Sequence, residues 1–203
     1  MKLYHSPTSP YVRKIMVLLH ETGQLDDVEL LPAHGTPLDS SNMPLAHNPL
    51  GKVPTLVCPG RPALYDSRVI ARYFDARTGD NFYPAHAIWE TLTLEATAEG
   101  IIDAALLLTY ENRLRPENRR MPEFAEGQWI KIARACETVN AQWMGHLAKP
   151  VNMSHITLGC ALGYVDFRHG DRDWRTGCAD LAAWYREFHR RPSMQATEPP
   201  QGA

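Results

Sequence analysis

The chain has 203 residues, 44% of them apolar and 22% charged, with a formal net charge of −2. These proportions are ordinary for a soluble globular protein. The charge leaves no basic field for nucleic acid, and no unbroken apolar window approaches the roughly 18 residues of a membrane span, so neither kind of partner is expected.

Met1-Lys2-Leu3-Tyr4-His5 runs straight into structure without an apolar signal core, so a cytoplasmic location is expected. The length favours one compact domain with a second beside it, or two intimate ones. Lys2–His5 alternates like a short strand, and the loop Ser6-Pro7-Thr8-Ser9-Pro10 hands over to a helix with Pro10 in its first turn. Val12, Ile15, Met16, Leu18 and Leu19 follow at helical spacing until Gly23 stops the run. Val28-Glu29-Leu30-Leu31 reads as a second strand, parallel to the first through a right-handed crossover. Residues 32–47 contain three prolines and read as loop with at most one short helical turn. Thr55-Leu56-Val57 and Ala63-Leu64-Tyr65 are short β-type runs joined at Pro59-Gly60, and a helix begins after Asp66-Ser67. The expected order is β-α-β-α-β-β-α with the last strand pair antiparallel.

At Thr78-Gly79-Asp80-Asn81 the pattern changes and no strand signal returns. The expected division is therefore a first domain over 1–80 and an all-helical second domain over 86–203. Helices are predicted over 86–114, from Pro122 to about Leu147, over 153–168 and over about 177–190. The run 153–168 is apolar nearly all round, which marks a helix buried at the centre of its domain, and Asn152 is its natural N-cap. The basic clusters Arg113–Arg120 and Arg186–Arg191 read as solvated helix ends. Cys58, Cys136, Cys160 and Cys178 are far apart and read as small buried hydrophobes rather than disulfides. The nine histidines show no zinc-like spacing, so no metal is expected.

Residues 48–68 carry the clearest functional signal. A strand pair followed by an acid-hydroxyl pair at a helix start is a place to hold a small zwitterion, and open backbone before Pro54 can hold a peptide. Four segments, in order, resemble the cytosolic glutathione transferase superfamily: Ser9-Pro10-Tyr11-Val12-Arg13-Lys14, Asn48-Pro49-Leu50-Gly51-Lys52-Val53-Pro54, Tyr65-Asp66-Ser67, and the capped run Asn152 to Arg168. The Ser-Pro-aromatic loop is similar to that of bacterial members and of the plant tau class. The resemblance implies an α/β plus all-α fold, with a thioredoxin-like domain followed by a helical bundle. It also implies glutathione as cosubstrate, a small electrophile as partner, and a homodimer.

The resemblance assigns residues as well. Lys52 meets a glycyl or glutamyl carboxylate, with His34 as a further candidate, although Lys52 also reads as a solvated loop lysine. Val53, before a Pro54 that is cis in the family, pairs with the cysteinyl backbone like an added strand. Asp66 and Ser67 take the glutamyl end, a role compatible with capping the helix. Ser9 donates its hydroxyl to the thiol, although it also reads as the cap of the helix at Pro10, with Thr8 the competing hydroxyl. A free thiol has a pKa of about 8.5, and a hydrogen bond to a charged group contributes roughly 1.5–3 kcal/mol, so one donor lowers that pKa by about one to two units. Tyr11, Ile102, Leu106 and Tyr110 are candidates for lining the second substrate's pocket, though each also reads as ordinary packing, and Asp103 as a residue facing a partner subunit.

Two features depart from the family pattern. Serine at the active-site position, with no cysteine nearby, argues against reductases that form a mixed disulfide with glutathione. Asn152-Met153-Ser154-His155 replaces a hydroxyl-x-x-Asp capping box, and His155 is expected not to reach back as a carboxylate would, at a cost of about 1 kcal/mol. A glutathione-dependent isomerase or peroxidase, and a non-catalytic glutathione- or ligand-binding protein, are the alternatives on the same fold.

Overall fold

Three strands carry the first half of the chain, with β1 (Lys2–His5) between β2 (Glu29–Pro32) and β3 (Thr55–Val57). A computed structural model describes residues 1–79 and 82–200, so the Asp80-Asn81 part of the expected boundary lies outside the described residues. β1 runs parallel to β2 with Leu3 opposite Leu30, and antiparallel to β3 with Leu3 opposite Leu56. Leu3 and Leu56 are both fully buried. Helix α1 (Pro10–Glu21) turns Val12, Ile15, Leu18 and Leu19 inward, and α2 (Ser67–Thr78), packed beside it, contributes Ile70, Ala71 and Phe74. The expected stop at Gly79 takes the left-handed conformation, with φ +67°, in which only glycine escapes a Cβ clash.

Two expected elements are weaker than the sequence suggests. The fourth strand reduces to a single bridge in which Leu56 and Leu64 exchange backbone hydrogen bonds of 3.0 and 2.8 Å. Extending that ladder would next pair Cys58 with Pro62 and Pro54 with Asp66, and each pair contains a proline with no N–H to give. Between β2 and β3 the chain makes turns and one bridge, Thr36 to Asp39, where the β-α-β-α-β-β-α order has its second helix. Pro32, Pro37 and Pro44 leave too little room between helix breakers for a regular turn series.

The chain divides into two compact units, one comprising Met1–Tyr83 with the segment from Pro192 onward, the other Pro84–Arg191. The return of the C-terminal segment to the first unit departs from the expected 86–203 division. Its cause is visible at Arg13, a buried guanidinium on α1 whose Nη2 donates to the Met194 carbonyl at 3.0 Å. Met194 is itself fully buried and belongs to the short helix α8 (Pro192–Gln195).

The second unit is helical throughout its regular structure, with α3 (Ile88–Leu114), α4 (Pro122–Gln142), α5 (Met144–Leu147), α6 (Met153–Arg168) and α7 (Ala179–Phe188). The predicted helix to Leu147 breaks at Trp143, which divides it into α4 and α5. α6 is buried at every position from Met153 to Val165 and packs on α3, as its unbroken apolar pattern requires. His155 corrects the expectation for its cap. Its Nδ1 accepts from the Asn152 backbone N–H at 3.4 Å while the Asn152 side chain accepts from Ser154 N–H at 3.0 Å, so the box is closed with imidazole in place of carboxylate. All four cysteines are free and buried.

Candidate functional site

The β3 end of the first unit is built from the loop that precedes it. Asn48, buried, accepts from the Leu50 N–H with Oδ1, and Gly51 follows at φ +57°. A Cβ at Gly51 would approach the exposed Leu45 side chain to 3.1 Å, a contact that a small shift of that leucine relieves, so the positive φ is what calls for glycine. Lys52 is exposed, and its ammonium has no ion-pair partner among the described residues. The Val53-Pro54 bond is cis. Pairing of β1 with β3 ends at Tyr4 opposite Thr55, which leaves the Val53 backbone beyond the paired strand. Because β1 and β3 are antiparallel, Val53 lies at the same end of the sheet as His5 and the loop from Ser6 to Ser9.

Asp66 and Ser67 stand where α2 begins, after a cis Tyr65-Asp66 bond. Asp66 is the N-cap, its Oδ1 accepting from Arg68 N–H at 3.0 Å, and the Arg68 guanidinium meets Oδ2 at 2.7 Å. Burial raises the Asp66 pKa, but the Arg68 hydrogen bonds and the charges of Arg68 and Lys14 outweigh it and hold the carboxyl below its ordinary value. Lys14 exerts this influence from α1, where it is wholly buried. Ser67, 2% exposed, sits in the first turn, where backbone N–H groups point out of the helix. A carboxylated anion presented here would meet N–H donors and the positive end of the helix dipole.

Ser9 is half-buried and caps α1, its Oγ accepting from Val12 N–H at 3.3 Å. Acceptance uses a lone pair and leaves the hydroxyl hydrogen, which has no acceptor among the described residues. Thr8, the competing hydroxyl, shares a 3.4 Å hydrogen bond with Ser6. Capping and donation are therefore simultaneous possibilities for Ser9, and the hydroxyl retains the proton that a thiolate would need. His34 is exposed with Nε2 3.3 Å from the Asn42 amide.

Residues 8–77 match the profile of the glutathione S-transferase N-terminal domain and residues 119–187 that of its C-terminal domain. The chain belongs to the glutathione S-transferase family. A glutathione transferase family member from Pseudomonas fluorescens Pf-5, crystallised with bound glutathione, is 46% identical, with a TM-score of 0.94 and 98% of each chain covered. A family member from the same strain carrying S-(propanoic acid)-glutathione is 45% identical, with a TM-score of 0.91, over 98% of this chain and 100% of that one. The uncharacterized GST-like protein YibF of Escherichia coli K12 is 32% identical over 209 residues, 99% of this chain and 100% of its own.

In this family member the residues expected to line the second substrate's pocket differ in access. Tyr11, Leu106 and Tyr110 are half-buried, whereas Ile102 is fully buried. Burial, and then the neighbouring Tyr164, raise the Tyr110 phenol above its ordinary pKa, so it stays protonated as a donor. Asp103 is exposed on α3. The side-chain roles of Asn48, Thr55 and Arg68 were missed in the sequence. A basic residue two positions after an acidic cap was the available signal for Arg68, and Asn48 was legible only as a turn former.

Proposed function

We propose that this glutathione S-transferase binds glutathione within residues 1–80 and activates its thiol for attack on a small electrophile. Lys52 takes a carboxylate, the backbone of Val53 beside Pro54 takes the cysteinyl peptide, and Asp66 with Ser67 takes the glutamyl end. Ser9 donates a hydrogen bond from its hydroxyl to the sulfur, which favours release of the thiol proton to water, so the thiolate and not the serine is the nucleophile. The thiolate then forms a carbon–sulfur bond as the leaving group departs with its electron pair. Of the four candidates we assign the half-buried Tyr11, Leu106 and Tyr110 to the electrophile and leave out Ile102, which is fully buried. We extend the reading to a cytoplasmic homodimer with a role in detoxification, as the family resemblance implies.

The observation that carries this reading is the Ser9 hydroxyl, fixed in place by its cap bond to Val12 yet still holding an uncommitted proton. The glutathione carried by a 46% identical relative supports the choice of peptide. Calorimetry with glutathione, paired with turnover of a chlorinated nitroaromatic and a panel of other electrophiles, tests it. Binding with turnover is the expected result. No binding overturns the whole reading, and binding without turnover on the panel favours a non-catalytic glutathione-binding protein.

A further inference from the structure

Asn48 and Thr55 bracket the segment assigned to the peptide, and both are sealed in the core, 1% and 0% exposed. The Asn48 amide nitrogen donates to the Lys52 carbonyl at 3.1 Å and to the Thr55 hydroxyl at 3.1 Å. Thr55 Oγ1 donates in turn to the same Lys52 carbonyl at 2.8 Å. The Asn48 orientation is unambiguous, because its Oδ1 faces the Leu50 N–H at 3.0 Å and its nitrogen faces a carbonyl that can only accept. The two donors fill both lone pairs of the Lys52 carbonyl. That carbonyl is thereby withdrawn from any ligand, and the next backbone groups along the chain are those of Val53.

We propose that Asn48 and Thr55 are positioning residues, a latch that holds the Lys52–Pro54 backbone ready for the glutathione peptide; this rests on the glutathione reading above. Thr55 is itself fixed by its register opposite Tyr4, so the latch carries the rigidity of the sheet across to Lys52. A loop ordered before binding loses little conformational freedom on binding, and its affinity is correspondingly higher. The chemistry at sulfur belongs to Ser9, on the loop after β1, so the latch governs how tightly the peptide is held and not how acidic the thiol becomes.

Thr55→Val removes the hydroxyl at nearly constant shape and keeps a good strand former, and Thr55→Ser restores the hydroxyl. Loss of the hydroxyl's two buried hydrogen bonds, one accepted from Asn48 and one donated to Lys52, is expected to weaken glutathione binding by at least about tenfold in Thr55→Val, with Thr55→Ser back within about twofold of wild type. Asn48→Ala, losing all three of its side-chain bonds, is expected to lose more. The same fold-loss is expected for S-methylglutathione, whose sulfur is blocked, and the pKa of bound glutathione, read from thiolate absorbance, should not move. Wild-type affinity in Thr55→Val overturns the latch, as does failure of Thr55→Ser to recover, which would make the effect one of packing. A loss confined to the free-thiol peptide also overturns it. Wild type failing to bind either peptide overturns the glutathione reading itself, a different result from equal binding by wild type and variant.

Discussion

Ser9 joins two jobs that substitution can separate. As N-cap its Oγ accepts from Val12 N–H, and as proposed thiol ligand its O–H donates a hydrogen bond to the sulfur. Alanine would destroy both, at about 1 kcal/mol of helix stability for the cap, whereas glycine at an N-cap costs only a few tenths. Ser9→Gly is therefore expected to leave the thermal midpoint nearly unchanged while raising the pKa of the bound thiol by about one to two units. Titration of thiolate absorbance in the complex checks it, and an unmoved pKa would remove Ser9 from the chemistry. At this scale the sequence pointed to candidate atoms and was silent about their company. Asp66 and Ser67 were legible from an acid-hydroxyl pair before a helical period. Arg68 on the Asp66 carboxylate was not, because an ion pair depends on side-chain rotamers that no spacing rule records. The same holds for Asn48, whose three bonds arise only once the turn has closed.

Among the elements, α6 shows how a correct reading can contain a wrong detail. Its unbroken apolar run announced a buried helix, and its ends fall where expected. The capping rule, framed around carboxylates, could not see that a neutral imidazole nitrogen also accepts a backbone N–H. The substitution makes the cap acid-sensitive. Burial, and then the neighbouring His146, push the His155 pKa down from 6.5 to about 4, with Arg191 adding a smaller push in the same direction. Above 6.5 both folded and unfolded chains hold a neutral His155, and its contribution to stability is complete. As pH falls from 6.5 towards 4 only the unfolded chain takes the proton, so stability drops by up to about 1.4 kcal/mol per unit and levels off below about 4. The His155 share over that window is about 3 kcal/mol, and His146, also lowered mainly by burial, adds to the slope. Denaturant midpoints measured across the window should show this slope in wild type. His155→Asp should flatten it, since a capping carboxylate stays ionised there; an equal slope in both proteins would place the acid sensitivity elsewhere.

The first unit is completed by a segment from far along the chain, which the sequence reading placed with the helical half. Prolines and polar residues after Thr197 read as a tail, and no periodicity connects Pro192–Gln195 with a helix nearly two hundred residues earlier. The link is Arg13, buried and charged on α1, which needs an acceptor and finds the Met194 carbonyl, with Ser193 Oγ donating to Glu21 near the other end of the same helix. Burying a guanidinium is costly unless it is hydrogen-bonded, so the segment supplies what α1 lacks. Met194, fully buried, adds apolar contact of the kind whose loss costs about 2–5 kcal/mol on truncation to alanine. Met194→Ala keeps the carbonyl and tests packing alone, whereas ending the chain at Arg191 removes packing and acceptor together. Both variants should lose hydrogen-exchange protection in α1, the truncation by more, because it leaves the Arg13 charge buried without its carbonyl. Saturating glutathione should restore part of that protection through mass action, since a ligand of the first unit stabilises the state that binds it. Protection in α1 that survives truncation unchanged would mean that the unit holds Arg13 by other bonds and that the returning segment is packing without consequence.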